Sequence, residues 1–155
     1  MHPSARTLIE PARAGDLDAV LDLLRGAALP PDGTHAHFPD GFVVARAAGH
    51  FVTGCAGVEI YGEVGLLRSV AVLEEARGTG LGERLARAAL RRAAERGVRD
   101  VYLLTTTAEG FFPRLGFERV ERASLPEALE ASEQLRGVCP ASAAAMRLRL
   151  EDAAP

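Results

Sequence analysis

Six residues, Arg77-Gly78-Thr79-Gly80-Leu81-Gly82, carry the clearest chemistry in this sequence. They follow an apolar run that ends in Ser69-Val70-Ala71-Val72 and precede an Ala/Leu/Arg-rich amphipathic stretch closing at Gly97. That order predicts a buried strand, a glycine turn and a helix N-terminus, which aims several backbone N–H groups and the positive end of a helix dipole at one point. Such a turn suits a pyrophosphate. A nucleoside-triphosphate loop would need a lysine after its last glycine to reach the terminal phosphates, and all 18 Lys/Arg-type residues of this chain are arginines. A dinucleotide fingerprint would space its glycines G-x-G-x-x-G, with an acid at the end of the next strand. Here the glycines stand at 78, 80 and 82, and Asp100 starts the following strand instead of ending it.

The turn resembles the acyl-CoA turn of the GNAT N-acetyltransferases, Arg/Gln-x-x-Gly-x-Gly/Ala after a strand ending hydrophobic-Ala-Val. Val70-Ala71-Val72, Arg77, Gly80 and Gly82 are in register with it. After a strand at 101–105, Thr106-Thr107-Ala108-Glu109-Gly110-Phe111-Phe112-Pro113-Arg114-Leu115-Gly116-Phe117 is similar to the family's second signature, which ends in Leu-Gly-Phe. The resemblance covers most of residues 42 to 149. It implies an α/β fold: a mixed, mostly antiparallel sheet splayed at the centre, with helices on both faces. It also implies acetyl-CoA as co-substrate. The pantetheine would pair with the backbone of Val70, Ala71 and Val72 like an added strand. The pyrophosphate would take N–H groups from Gly78, Thr79, Gly80, Leu81, Gly82 and Glu83 beside Arg77, with Thr107 and Phe112 farther along the same site. The N–H of Val72 would polarise the thioester carbonyl.

Many family members place a tyrosine general acid four residues before the glycine of Leu-Gly-Phe. This chain has Phe112 there, which has no proton to give, and Thr107 stands where an asparagine is often found. Protonation of the departing thiolate then falls to water or to a hydroxyl such as Thr107, or comes late. Direct transfer also needs a neutral amine, and a carboxylate acting directly or through water is the usual means. Glu59 and Glu63 flank the tight turn before the central strand; both also suit an exposed hairpin. Glu109 is a third candidate, at a position that also suits a helix dipole alone.

Arg68-Ser69 is the clue to the acceptor. A guanidinium in the otherwise apolar run that begins Val64-Gly65-Leu66-Leu67 is costly to bury unless it meets an anion, and its planar fork fits a carboxylate. That anion is either an acceptor's carboxylate or an internal partner, Glu59 or Glu63. Cys139 has no histidine nearby in sequence to activate it and suits a pocket-lining thiol. His35 and His37 lie two apart with no further ligand spacing, so they suit a lid and no metal site is expected.

The elements that position these residues follow from pattern. Strands are predicted at 5–12, 41–46, 50–60, 64–72, 101–105, 117–122 and 144–150. Asp16 looks like the N-cap of a helix with Leu17, Val20, Leu21 and Leu24 on one face. Leu81, Leu85 and Ala88/Ala89 form the inward face of the helix after the glycine turn, and a polar helix is predicted at 126–136. At 155 residues, 48% hydrophobic, with net charge −3, the chain reads as one domain, 1–155. No polybasic patch points to nucleic acid. No run approaches the ~18 apolar residues of a membrane helix, and Met1-His2-Pro3-Ser4 has no signal-peptide core, so the expected location is cytoplasmic. Cys55 and Cys139 are too few for a disulfide framework.

A narrower resemblance lies in Leu67-Arg68-Ser69-Val70-Ala71-Val72, in Leu104-Thr105-Thr106-Thr107-Ala108-Glu109 with Phe111-Phe112, and in Cys139-Pro140-Ala141-Ser142-Ala143 with Met146. This combination resembles the arsenic-resistance (ArsN-type) branch and is similar to the N-acetylglutamate-synthase-like acetyltransferases. It implies a small amino-acid-like amine acceptor, glutamate or a mimic of the phosphinothricin and arsinothricin kind, and allows a homodimer. Two alternatives stay open. One is a non-catalytic acyl-CoA-binding module, because Phe112 removes the usual acid. The other is a protein N-terminal acetyltransferase, which would want an open acidic groove around residues 30–40, where histidines and prolines stand.

Overall fold

Phe42 and Val44 alternate with Val43 and Ala45, and all four are buried, the pattern of a strand covered on both faces. The computed structural model, which describes residues 7–48, 51–106, 108–138 and 142–150, places them on β2 (Phe42–Ala47). With β1 (Leu8–Pro11), β3 (Phe51–Tyr61), β4 (Val64–Val72), β5 (Asp100–Thr105), β6 (Glu118–Val120) and β7 (Ala144–Arg149), the described residues form a seven-stranded sheet ordered β1-β2-β3-β4-β5-β7-β6. Neighbours are antiparallel except β4 and β5, which are parallel.

The parallel pair is joined by α3 (Leu81–Glu95), which buries Leu81, Leu85, Ala86, Ala89, Leu90 and Ala93 at helical spacing. This stripe packs on Val43, Ala45, Ala56, Val58, Leu67, Val101 and Leu103, one face of the sheet. Gly54 lets it approach: a Cβ there would lie 2.6 Å from Leu85 Cδ1. On the opposite face α1 (Leu17–Gly26) sets Val20, Leu23 and Leu24 against Phe42, Val44, Cys55 and Ala71. A separate cluster of Leu66, Tyr102 and Leu129 carries residues that alternate with the α3-facing ones. This is the splayed, two-layered-over α/β arrangement that the sequence suggested.

The splay has a definite origin. β4 and β5 pair only at Val64 with Asp100, Gly65 with Val101 and Leu66 with Tyr102. Beyond that, β5 follows β7 as far as Thr105 with Ala144, and β4 follows β3 as far as Val72 with Gly54.

Two local expectations are corrected. Asp16 does not cap α1: its backbone is itself helical, φ −86° and ψ −4°, with no side-chain cap bond. Its carboxylate instead accepts two bonds from the buried Arg46, at 3.1 and 2.9 Å, and one from the Arg13 N–H at 2.9 Å. A buried guanidinium outcompetes a helix end for an anion. The polar helix at 126–136 is two turns, a 3₁₀ segment Glu127–Ala131 and a π turn Gln134–Val138. Ser132 is extended between them, with its hydroxyl accepting the Gln134 N–H at 3.1 Å. No helix among the described residues is long and apolar enough to cross a membrane.

Leu85 is fully buried where α3 meets the sheet, so Leu85→Ala should lower stability by about 2–5 kcal/mol in urea unfolding; a loss below about 1 kcal/mol would mean that α3 does not pack as described.

Candidate active site

Where the sheet opens, β4 breaks its own alternation. Cys55 stands opposite Ala71 and Gly57 opposite Arg68, so Ser69 and Val70 together face the single residue Ala56. This is a β-bulge, and Ser69 adopts the left-handed backbone there, φ +61°. The Ser69 carbonyl accepts the Cys55 thiol at 3.2 Å. Burial pushes that thiol up to about 12, which leaves Cys55 protonated and a weak donor. The extra residue resets the parity of the strand. Leu67, Val70 and Val72 pack with the α3 cluster, whereas Arg68 and Ser69 both line a cavity on the other side.

Two cavities flank the bulge. The first, about 480 Å³, runs along Val70, Ala71 and Val72 between the parted strands, with Arg77, Gly82, Phe111 and Phe112 also lining it. At its end Gly78 and Gly80 take φ +79° and +84°, which only glycine adopts freely. The first bond of α3 runs from the Arg84 N–H to Gly80 O at 3.1 Å, so the N–H groups of Leu81, Gly82 and Glu83 point out of the helix end. The side chains build this turn: Arg77 Nε donates to Val72 O at 3.0 Å, and the Thr79 hydroxyl donates to Ala76 O at 2.7 Å. Glu83 pairs with Arg87 one turn along. An unpaired strand edge for amides, followed by a helix N-terminus for phosphates, fits a pantetheine pyrophosphate.

The second cavity, about 330 Å³, opens on the α1 side and is lined by Arg68 and Ser69 of β4, Thr105 of β5, Pro30, and Gln134 from the π turn. Ala27 and Ala28, just past α1, line both cavities, so the two adjoin beside the bulge.

Arg68 is 5% exposed and organises the second cavity. Its Nη1 donates to Glu59 Oε2. Nη2 donates to Pro30 O at 3.2 Å and to Thr34 Oγ1 at 3.1 Å, and Nε to Ser69 Oγ at 2.9 Å. Thr34 opens the single turn α2 (Thr34–His37), so one guanidinium ties the segment around 30–34 to the sheet. Glu59 is fully buried; its other oxygen accepts the Tyr61 hydroxyl at 2.6 Å, with His37 Nε2 at 3.6 Å. Burial, then the bond to Glu59 and its charge, push the Tyr61 hydroxyl up. Burial holds His37 below the usual 6.5, with the Arg68 charge adding to it and Glu59 opposing.

The sequence-based candidates separate on this geometry. Of the alternatives for Arg68, the internal partner Glu59 is what the structure shows. Glu59 is correspondingly not among the described residues lining either cavity, and it neutralises Arg68 instead of facing an amine. Glu63 sits at the β3–β4 turn with its side chain 75% exposed, paired at 3.9 Å with Arg99. Along the strand that is roughly 20 Å from Ser69, too far to take an acceptor's proton. Glu109 pairs at the surface with Arg119 at 2.7 Å. Phe112 is buried against Phe111 and Phe117 at the groove. Thr107 and Cys139 lie outside the described residues. Ala27, Ala28 and Gln134 escaped the sequence reading because small residues after a helix and one glutamine in a polar stretch carry no motif.

Residues 39–119 match the family model for the acetyltransferase (GNAT) domain. The chain belongs to the GNAT acetyltransferase family. An uncharacterized N-acetyltransferase of Chlorobaculum tepidum is 33% identical over 133 residues, covering 81% of this chain and 84% of that one. Among solved structures, N-acetylglutamate synthase from Neisseria gonorrhoeae complexed with coenzyme A and N-acetyl-glutamate has a TM-score of 0.78 at 22% identity, over 93% of this chain and 35% of that one. The chain thus spans about a third of that enzyme. A GNAT-family acetyltransferase from Staphylococcus aureus Mu50 has a TM-score of 0.75 at 16% identity, over 93% of this chain and 99% of that one. The open, mostly antiparallel sheet is the GNAT fold, and the chain is a GNAT acyltransferase.

Breaking the buried pair from the acid's side tests the network. Glu59→Gln should cost about 3–5 kcal/mol in chemical denaturation, because it leaves Arg68 buried without its counter-ion. The same change removes the one charge that raises the His37 value. The His37 ring resonances, which should already titrate below 6.5, should then titrate lower still. The sign carries through to stability: the folded protein favours the neutral ring, so His37 makes the fold less stable as pH falls through 6.5 and the unfolded chain takes up the proton first. An unchanged titration in Glu59→Gln would separate the histidine from the network.

Proposed function

We propose that this GNAT enzyme transfers an acetyl group from acetyl-CoA directly to the amine of a small amino-acid-like carboxylate, glutamate or a phosphinothricin- or arsinothricin-type mimic. In this reading it stands with the arsenic-resistance (ArsN-type) and N-acetylglutamate-synthase-like branch. The observation that carries it is the junction at the β4 bulge, where a groove shaped for pantetheine adjoins a cavity of about 330 Å³. That is the small end of the range for ligand pockets, about 300–1,000 Å³, and it favours a free amino acid over a peptide. The complex of the Neisseria enzyme with coenzyme A and N-acetyl-glutamate supports the same class.

The residues divide the work. The backbone of Val70 to Val72 orients the donor, and the Val72 N–H polarises the acyl carbonyl. Gly78 to Glu83 hold the phosphates at the α3 N-terminus. Arg68 is the cation of the acceptor cavity. Four of its five N–H groups have partners among the described residues, and its positive charge is what the cavity offers the acceptor's carboxylate. No carboxylate of the described residues lines the cavity, so the acceptor ammonium gives its first proton to water before attack.

Thiol release from acetyl-CoA should be saturable with glutamate, phosphinothricin or arsinothricin. The matching amine without its α-carboxylate should lose at least about tenfold in kcat/KM, the scale of one charge-assisted hydrogen bond. Equal turnover of both would remove the carboxylate from the reading. Tight acetyl-CoA binding with no turnover of any amine would favour the non-catalytic module that Phe112 raises.

A further inference from the structure

The left-handed position of a bulge is a place for glycine, yet this chain holds Ser69 there at φ +61°. The strain has a visible consequence. It turns the Ser69 side chain to the same side as Arg68, into the acceptor cavity, while the next residue, Val70, lines the donor groove. The hydroxyl therefore stands on the border between the two substrates. It is 8% exposed and held by one bond, from Arg68 Nε at 2.9 Å. That bond occupies one lone pair. The O–H and the second lone pair have no other partner among the described residues, and the cationic donor makes the O–H a better proton donor. Phe112, in the position of the family's usual acid, offers none.

We propose that Ser69 is the proton shuttle of the transfer, an assignment that rests on the acetyltransferase reading above. As the acceptor nitrogen bonds to the acyl carbon, the C–S bond breaks and its electron pair leaves on sulfur. The surplus proton on nitrogen passes to Ser69 Oγ while the Oγ–H proton passes to sulfur. The products are the amide and the free thiol, Ser69 ends as it began, and no external acid or base is consumed. Arg68 is a positioning residue in this step: it acts through Ser69 by fixing where Oγ points, and Glu59 balances the charge that this requires.

Ser69→Gly and Ser69→Ala, assayed for thiol release with acetyl-CoA and with glutamate or phosphinothricin, test the assignment. Glycine suits the left-handed backbone, so loss of folding does not confound that variant. Both should lower kcat by about 100-fold or more, the lower range for a removed acid–base group. Acceptor KM and acetyl-CoA affinity should stay within about threefold. Ser69→Cys, which restores a proton donor, should recover part of the loss, and the wild type should show a solvent deuterium effect on kcat that Ser69→Gly lacks. A kcat within about threefold of wild type in both deletion variants overturns the shuttle. So does a loss confined to acceptor KM, which would make Ser69 a binding residue only. Wild-type protein that binds acetyl-CoA but turns over neither acceptor overturns the small-acceptor reading first, and the two failures are told apart by which protein shows them.

Discussion

Backbone N–H and C=O groups must find partners wherever water is excluded, and in this protein one line of them faces an open groove instead of a neighbouring strand. β4 and β5 part after Leu66 with Tyr102, so the backbone of β4 beyond that point has β3 on one side and an open groove on the other. Each strand stays fixed by its outer neighbour, β5 by β7 and β4 by β3. The gap is therefore a built feature of the sheet and not a frayed edge. It leaves a row of preorganised donors and acceptors open, and it ends at a helix N-terminus whose turn is rich in glycine. In the proposed reading the thioester is placed by this means, with main-chain groups doing what side chains do in many other enzymes.

The second cavity rests on a different interaction. Arg68 and Glu59 are both nearly inaccessible, and an ion pair that deep adds little net stability over an apolar pair of similar volume. Its use is positional. From one guanidinium come the bond to Ser69, the hold on Pro30 and Thr34, and the neutralisation of Glu59. The same arrangement explains why neither glutamate beside the hairpin turn lines either cavity. Glu59 lies under the arginine, and Glu63, four residues on, falls past the turn into solvent.

Much of this was legible in the residues. The glycine turn, the strand before it and the helix after it follow from spacing and dipole arguments, and the seven strands lie close to their predicted ranges. The buried Arg68 announced its need for an anion. What stayed hidden depends on tertiary context. A bulge with a left-handed serine leaves no mark, because the sequence signal for that backbone is glycine. Without the bulge, strict alternation would send Ser69 to the α3 side and away from the second cavity. Asp16 stood where a helix cap belongs, but a buried arginine 30 residues away in sequence claimed it. The π turn that brings Gln134 to the cavity reads as ordinary amphipathic helix until Ser132 interrupts it.

The central claim is that the parted segment of β4 and the glycine turn together receive the acyl donor. Amide hydrogen exchange on the protein with and without acetyl-CoA measures this directly. Slowed exchange should appear at residues 70–72 and 78–83, with the pairing of β1 and β2 unaffected. Protection that spares residues 70–72, or exchange that does not change at saturating acetyl-CoA, would contradict the account.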